Sequence, residues 1–228
     1  MQRVALVTGG AGAIGGAIVE ALTAQGHDVA VLDRSGDFPC DLASEAAVEQ
    51  AAAAVLERFG RCDILVHAAA AFDQFTLEEL DLVAWRRVQA VNVEAALLLA
   101  RAFSPGMSEQ GFGRIIFVTS NTVWLPPGPE FLAYIASKAA LEGLARVLAK
   151  ALGAQGITVN AVEPGLTPTP TSLSDISPAA FAAVLEAQAL PRALEPSDAA
   201  AAVAFLASEA AGAVTGQTIC SDGGLVLR

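Results

Sequence analysis

The chain has 228 residues, 54% of them hydrophobic and only 16% charged, which is material for one large buried core and not for a disordered segment. Its formal net charge of −11 would repel a phosphate backbone and argues against a nucleic-acid partner. No apolar run reaches the roughly 18 residues of a membrane span, and MQRVALVTGG at the N-terminus lacks the layout of a signal peptide.

The first apolar run, Val4–Val7, predicts a strand that feeds the turn from Thr8 to Gly15 and then a helix over Ile14–Gln25. Gly10, Gly12 and Gly15 stand there at G-x-G-x-x-G spacing. Glycines let a backbone turn sharply and approach a pyrophosphate, whose charge the helix N-terminus favours. A second strand, Val29–Leu32, ends at Asp33, 18 residues beyond Gly15. A carboxylate there accepts from both ribose hydroxyls and repels a 2′-phosphate, so it favours NAD over NADP. The guanidinium of Arg34 next door can stack on adenine or meet a phosphate, which leaves NADP open. Between Leu32 and Cys40 there is no room for a crossover helix, so a short loop is expected.

A helix over Ser44–Phe59 and a strand over Ile64–Val66 follow, and then His67 with four alanines behind it. Trp85–Phe103 reads as one helix, Ile115–Val118 as a strand, and Tyr134–Leu152 as a helix. Tyr134, the only tyrosine, lies four residues before Lys138, which puts both on one face. An ammonium beside a phenol favours the phenolate and pulls its pKa down. Thr158–Val162 predicts a strand, Ser197–Ala207 a helix and Gln217–Cys220 a last strand. The alternation predicts the α/β class: a doubly wound parallel sheet with helices on both faces, in one domain spanning 1–228. Cys40, Cys62 and Cys220 are not paired at metal-ligand spacing and read as buried thiols of a reducing cytoplasm, and with only His27 and His67 no metal site is expected.

Taken in order, these motifs resemble the short-chain dehydrogenase/reductase family, of the single-domain Rossmann type, over essentially all 228 residues. The family turn T-G-x-x-x-G-x-G corresponds to Thr8–Gly15, with Ala13 where a glycine is usual. The resemblance implies cofactor contacts from Gly9, Gly12, Ala13, Ile14, Gly15 and Asp33, and from Asp41 and Leu42 at the adenine. Ala68, Ala69 and Ala70 would lie beside the adenosine ribose, in the family's Asn-Asn-Ala-Gly position, where His67 replaces the first asparagine and Ala70 the glycine. Pro164, Gly165, Thr167 and Thr169 resemble the loop that grips the nicotinamide carboxamide, and Thr215–Gly224 the usual closing segment. The implied catalytic set is Asn92, Ser120, Tyr134 and Lys138. Ser120 would hold the substrate oxygen and Tyr134 pass its proton. Lys138 would bond the nicotinamide ribose and Asn92 complete a water relay. Ser120 lies 14 residues before Tyr134 and Asn121 lies 13, the commoner family spacing; alignment on the strand favours Ser120. His67 reads as a structural residue that donates from one ring nitrogen and accepts at the other, and Ala70 as backbone in an ordinary region.

The substrate pocket is expected from Phe72, Trp124, Leu125, Phe131, Leu166, Phe181 and Val184, under a loop of about 166–195 with a lid at Ser172–Ala189. With no Arg or Lys among them, an uncharged aryl or alicyclic secondary alcohol or ketone fits. TSNTVWL and FGRCDILV are similar to the 1-phenylethanol-type aryl alcohol dehydrogenases of the family. The expected function is therefore NAD(H)-dependent interconversion of such an alcohol and ketone. The alternatives are an NADPH-dependent 3-oxoacyl-type ketoreductase, which would want a base in place of Asp33, and a non-catalytic NAD-binding scaffold. The resemblance implies a cytoplasmic homotetramer, or a dimer, and Leu97–Leu99 and Leu144–Leu148 give both long helices a second apolar face.

Overall fold

The computed structural model describes residues 2–227. Its centre is a seven-stranded sheet, parallel throughout, in the order β3-β2-β1-β4-β5-β6-β7. The strands are β1 (Val4–Thr8), β2 (Asp28–Asp33), β3 (Phe38–Pro39), β4 (Ile64–His67), β5 (Gly113–Val118), β6 (Ile157–Pro164) and β7 (Thr218–Ser221). β1, β4, β5 and β6 are buried along their whole length, which is why they read as unbroken apolar runs.

Helices cover both faces. Leu6, Leu65, Ile115, Phe117 and Val159 pack under α2 (Glu45–Phe59), α4 (Ala95–Glu109) and α5 (Leu132–Leu152). Ala5, Val7, Ile64, Val66 and Ile116 pack under α1 (Ala13–Ala24) and α8 (Pro196–Ala207). From β1 the chain winds outward through β2 and β3, then returns to β4 on the other side of β1. That reversal opens a crevice at the C-terminal ends of β1 and β4, where Thr8 and His67 are register partners.

Three details depart from the sequence reading. The loop after β2 carries no helix, as expected, yet it holds β3, a strand too short for any pattern to announce. The stretch read as one helix is three pieces: α3 (Leu82–Gln89), a π turn at Ala90–Glu94, and α4. Val88, Asn92, Ala95, Leu99 and Phe103 are buried at three- and four-residue spacing, so the apolar stripe runs through the π turn without a break. The stretch expected to be a lid contains α6 (Pro170–Asp175) and α7 (Pro178–Ala187), each opened by a hydroxyl cap and a proline: Thr169 accepts from Ser172 N–H, and Ser177 from Ala180 N–H. Cys40 and Cys62 are buried free thiols, whereas Cys220 is half-buried. Among the described residues no helix is long and apolar enough to cross a membrane.

Candidate active site

At the crevice the chain comes together with almost no side chains. Gly9 has φ +71°, and a Cβ on it would lie 2.7 Å from the backbone of Ala69. A Cβ on Gly15 would collide with the Gly9 carbonyl. Gly12 caps α1 without a side-chain bond, and the first intrahelical hydrogen bond runs from Gly16 N–H to Gly12 O at 2.7 Å. The amides of Ala13, Ile14 and Gly15 precede that bond and face outward at the positive end of the helix. This cradle fits a pyrophosphate, and the Ala13 methyl in place of the family's glycine is exposed and blocks nothing. The alanines behind His67 are small because the phosphate turn rests on them. Ala70 needs no special conformation, since only glycines have positive φ among the described residues.

Asp33, at the end of β2, accepts from Ala11 N–H (3.1 Å) and Arg34 N–H (2.6 Å), so its carboxylate is anchored to the turn; the Arg34 side chain is exposed. Asp41 accepts from Ala43 N–H, and the Leu42 side chain enters the core. A Cβ on Gly165 would lie 2.7 Å from Asp222 and from Leu194. Thr167 donates to Gly165 O (3.1 Å) and Thr169 caps α6, so both hydroxyls already have partners in their own loop.

The second cluster lies where β5 ends and α5 begins. Ser120 Oγ accepts from Thr122 N–H (3.3 Å) and Thr122 Oγ1–H (2.9 Å), which leaves its own proton for the Tyr134 phenol. Asn121 turns away and donates to Asp222 Oδ2 (3.2 Å), so of the two spacing candidates it is Ser120 that meets the tyrosine. Lys138 is buried, donates to Val118 O (2.8 Å), and lies 5.5 Å from the Tyr134 ring centroid. Burial lowers its pKa to about 8. The expected lowering at Tyr134 is not what this geometry gives. Burial pushes its pKa up, only partly offset by the hydrogen bond from Ser120.

Asn92 stands on the π turn with its side chain fully committed. Its Oδ1 accepts from Ala71 N–H (2.7 Å), and its Nδ2 donates to Ala71 O (3.1 Å) and Ser137 Oγ (2.9 Å). Any water relay at Asn92 must therefore use the backbone. His67 is fully buried. The Thr8 hydroxyl accepts from Ala68 and Ala69 N–H (both 3.2 Å), so its single proton goes to His67 Nδ1 (3.0 Å). Nε2 thus carries the ring proton and, with no partner at ordinary hydrogen-bond distance, faces the Val91 and Asn92 backbone of the π turn. One half of the expected double bond is made closely, to β1; the other reaches the backbone of the π turn over a longer distance. Burial holds the pKa down at about 3, so the ring is neutral.

Leu166, Phe181 and Val184, with Leu173, Ile176 and Leu185, line a cavity of about 340 Å³ beneath α6 and α7, where Gln188 is the one polar side chain. Phe72 and Phe131 pack beside Tyr134 instead, and Trp124 Nε1 donates to Glu163 Oε1 (2.8 Å). Glu163 and Ser137 are buried and received no place in the sequence reading, Asp222 entered it only within Thr215–Gly224, and Asn121 only as the alternative to Ser120. Asp222 accepts from Gly224, Leu225 and Val226 N–H, and Asp before Gly-Gly was a turn signal that pointed to it.

Residues 9–226 match the family model described as enoyl-(acyl carrier protein) reductase. The chain is 32% identical to the D-threitol dehydrogenase of Mycolicibacterium smegmatis, over 99% of this chain and 94% of that protein. It is 30% identical to the 7alpha-hydroxysteroid dehydrogenase of Bacteroides fragilis, over 100% and 95%. A solved short-chain type dehydrogenase/reductase from Mycobacterium ulcerans superposes with a TM-score of 0.92 at 30% identity, covering 100% of this chain and 91% of that one.

Proposed function

The chain belongs to the short-chain dehydrogenase/reductase family of oxidoreductases, and on that premise we propose that it interconverts an apolar secondary alcohol and its ketone with NAD. The observation that carries the reading is the Ser120–Tyr134–Lys138 cluster; the cavity under α6 and α7, which none of the three lines, has no charged lining residue and supports an apolar substrate. Bound nicotinamide supplies the hydride acceptor for oxidation, or the donor for the reverse. Gly9, Gly12, Ala13, Ile14, Gly15 and Asp33 would hold its adenosine diphosphate half with Asp41, Leu42 and Ala68–Ala70. Pro164, Gly165, Thr167 and Thr169 would hold the nicotinamide.

With substrate bound, Ser120 would turn onto the substrate oxygen the one proton that otherwise meets the Tyr134 phenol. Tyr134 Oη takes the hydroxyl proton in oxidation and returns it in reduction, with Lys138 and the backbone of Asn92 as the route beyond. Because burial raises the Tyr134 pKa, the phenol is protonated at neutral pH. Ketone reduction then runs at neutral pH, and alcohol oxidation rises with pH as the phenol ionises; pH–rate profiles in both directions check this.

D-threitol is a polyol and a 7-hydroxysteroid is alicyclic; the apolar cavity sides with the second. Initial rates with NAD and NADP on both enantiomers of 1-phenylethanol, cyclohexanol, a hydroxysteroid and D-threitol test the proposal. Aryl or alicyclic turnover with NAD is expected. D-threitol as the best substrate, or a strong preference for NADP, sinks it, and NADH binding without turnover of any carbonyl would favour the scaffold. A groove of about 280 Å³ along α4 and α5, lined by Leu97, Leu98, Leu148 and Leu152, supports assembly through these helices as a homotetramer or, short of that, a dimer. Sedimentation velocity reads this directly.

A further inference from the structure

We propose that Phe72 is a positioning residue for Tyr134: held from Asn92 through the Ala71 backbone, its ring fixes the phenol and keeps water from it. The inference rests on the reading that Tyr134 carries the proton. The Phe72 ring meets Tyr134 edge to face, with centroids 4.8 Å apart at 78°, and meets Phe131 at 5.2 Å and 69°. Phe131 is the residue before α5, so the three rings form one block at the start of the catalytic helix.

The segment carrying Phe72 is fastened at both ends. On one side both backbone groups of Ala71 are bonded to the Asn92 side chain (2.7 and 3.1 Å). On the other, Phe75 N–H donates to Glu130 O (3.0 Å) and Phe75 bridges to Phe131. Asp73 is tied to Arg87 at 2.7 Å. The same Asn92 also reaches Tyr134 by a second route, since its Nδ2 donates to Ser137 Oγ, which donates to Tyr134 O (2.7 Å). One amide thus holds the tyrosine by its backbone and, through Phe72, by its ring.

The polar groups around the phenol are few. Lys138 is on the same helix and bonded to Val118 O, Asp73 on the Phe72 segment is bonded to Arg87, and Ser120 arrives from the loop after β5. Burial outweighs them and raises the phenol pKa. Thinning the aromatic wall should therefore let the phenol ionise at lower pH.

Tyr134 is the only tyrosine, so tyrosinate absorbance titrates this one group without reference to activity. In Phe72→Ala the midpoint is expected to fall by roughly half a unit or more, with a smaller fall in Phe72→Leu. kcat should drop about tenfold while the melting temperature of Phe72→Leu stays near that of the parent. A midpoint unmoved in both variants overturns the proposal, as does a rate loss that only follows loss of folded protein. A Tyr134→Phe protein with full activity would instead overturn the underlying reading, and the Phe72 titration distinguishes the two failures.

Discussion

Between Gly9 and Ala69 the site is made of missing side chains, whereas at the start of α5 it is made of side chains sent from four separate places. At the first, the β1 turn and the chain after β4 touch backbone to backbone, and there is no room for one added carbon. At the second, Tyr134 is held by Ser120, Phe72 and, through Ser137, Asn92, while Lys138 is held by Val118 O. A region defined by absence fails by collision, all at once. One defined by contacts fails by degrees, and its failures show in rate before they show in folding.

The largest expected effect tests the contact-built end. Tyr134→Phe should cut turnover by roughly 10³-fold, about 4 kcal/mol of barrier, while NADH fluorescence still reports binding. Next is the absence-built end: Gly9→Ala adds a carbon 2.7 Å from Ala69 and forces a side chain onto φ +71°. It should cost about 1–3 kcal/mol in a denaturant melt and weaken NADH binding in parallel, and a loss of kcat alone would contradict the contrast. Asp33→Asn keeps the shape and removes the charge that repels a 2′-phosphate. The ratio of kcat/KM for NAD over NADP should narrow about tenfold, near 1.4 kcal/mol.

The smallest effect at neutral pH belongs to His67→Asn, which restores the residue usual in the family and should change stability by under about 1 kcal/mol. Acid separates the two proteins. With its folded pKa lowered to about 3 from 6.5, His67 refuses a proton that the unfolded chain accepts. Stability therefore falls as pH drops from 6.5 toward 3, on the order of a few kcal/mol at the acid end, and the asparagine variant should lack that slope in pH-dependent melts.

The same contrast explains what the sequence disclosed. A glycine or alanine that must be small is visible letter by letter, so the tight turn at Gly9–Gly15 and the packed alanines after His67 were legible as shapes, as were six of the seven strands. Tyr134 and Lys138 were legible because their spacing is local. Phe72 against Tyr134, Trp124 against Glu163 and Asn121 against Asp222 join residues 39 to 101 positions apart or lie across separate loops, and no local pattern records them. The direction of the Tyr134 shift was misjudged for a related reason. A four-residue spacing says that two groups share a face, but not how strongly burial will disfavour the phenolate there.

The π turn at Ala90–Glu94 carries one residue more than an α-helix needs for the same turn, as the bond from Ala95 N–H to Ala90 O shows. Deleting any single residue of that turn would restore the regular pitch, with α3 and α4 nearly in phase but without the bulge that carries Asn92. Asn92 would then leave Ala71 and Ser137 together. The stretch is thus open to substitution at its exposed positions and closed to any change in length. Its residue count, more than any one side chain in it, sets where Asn92 stands.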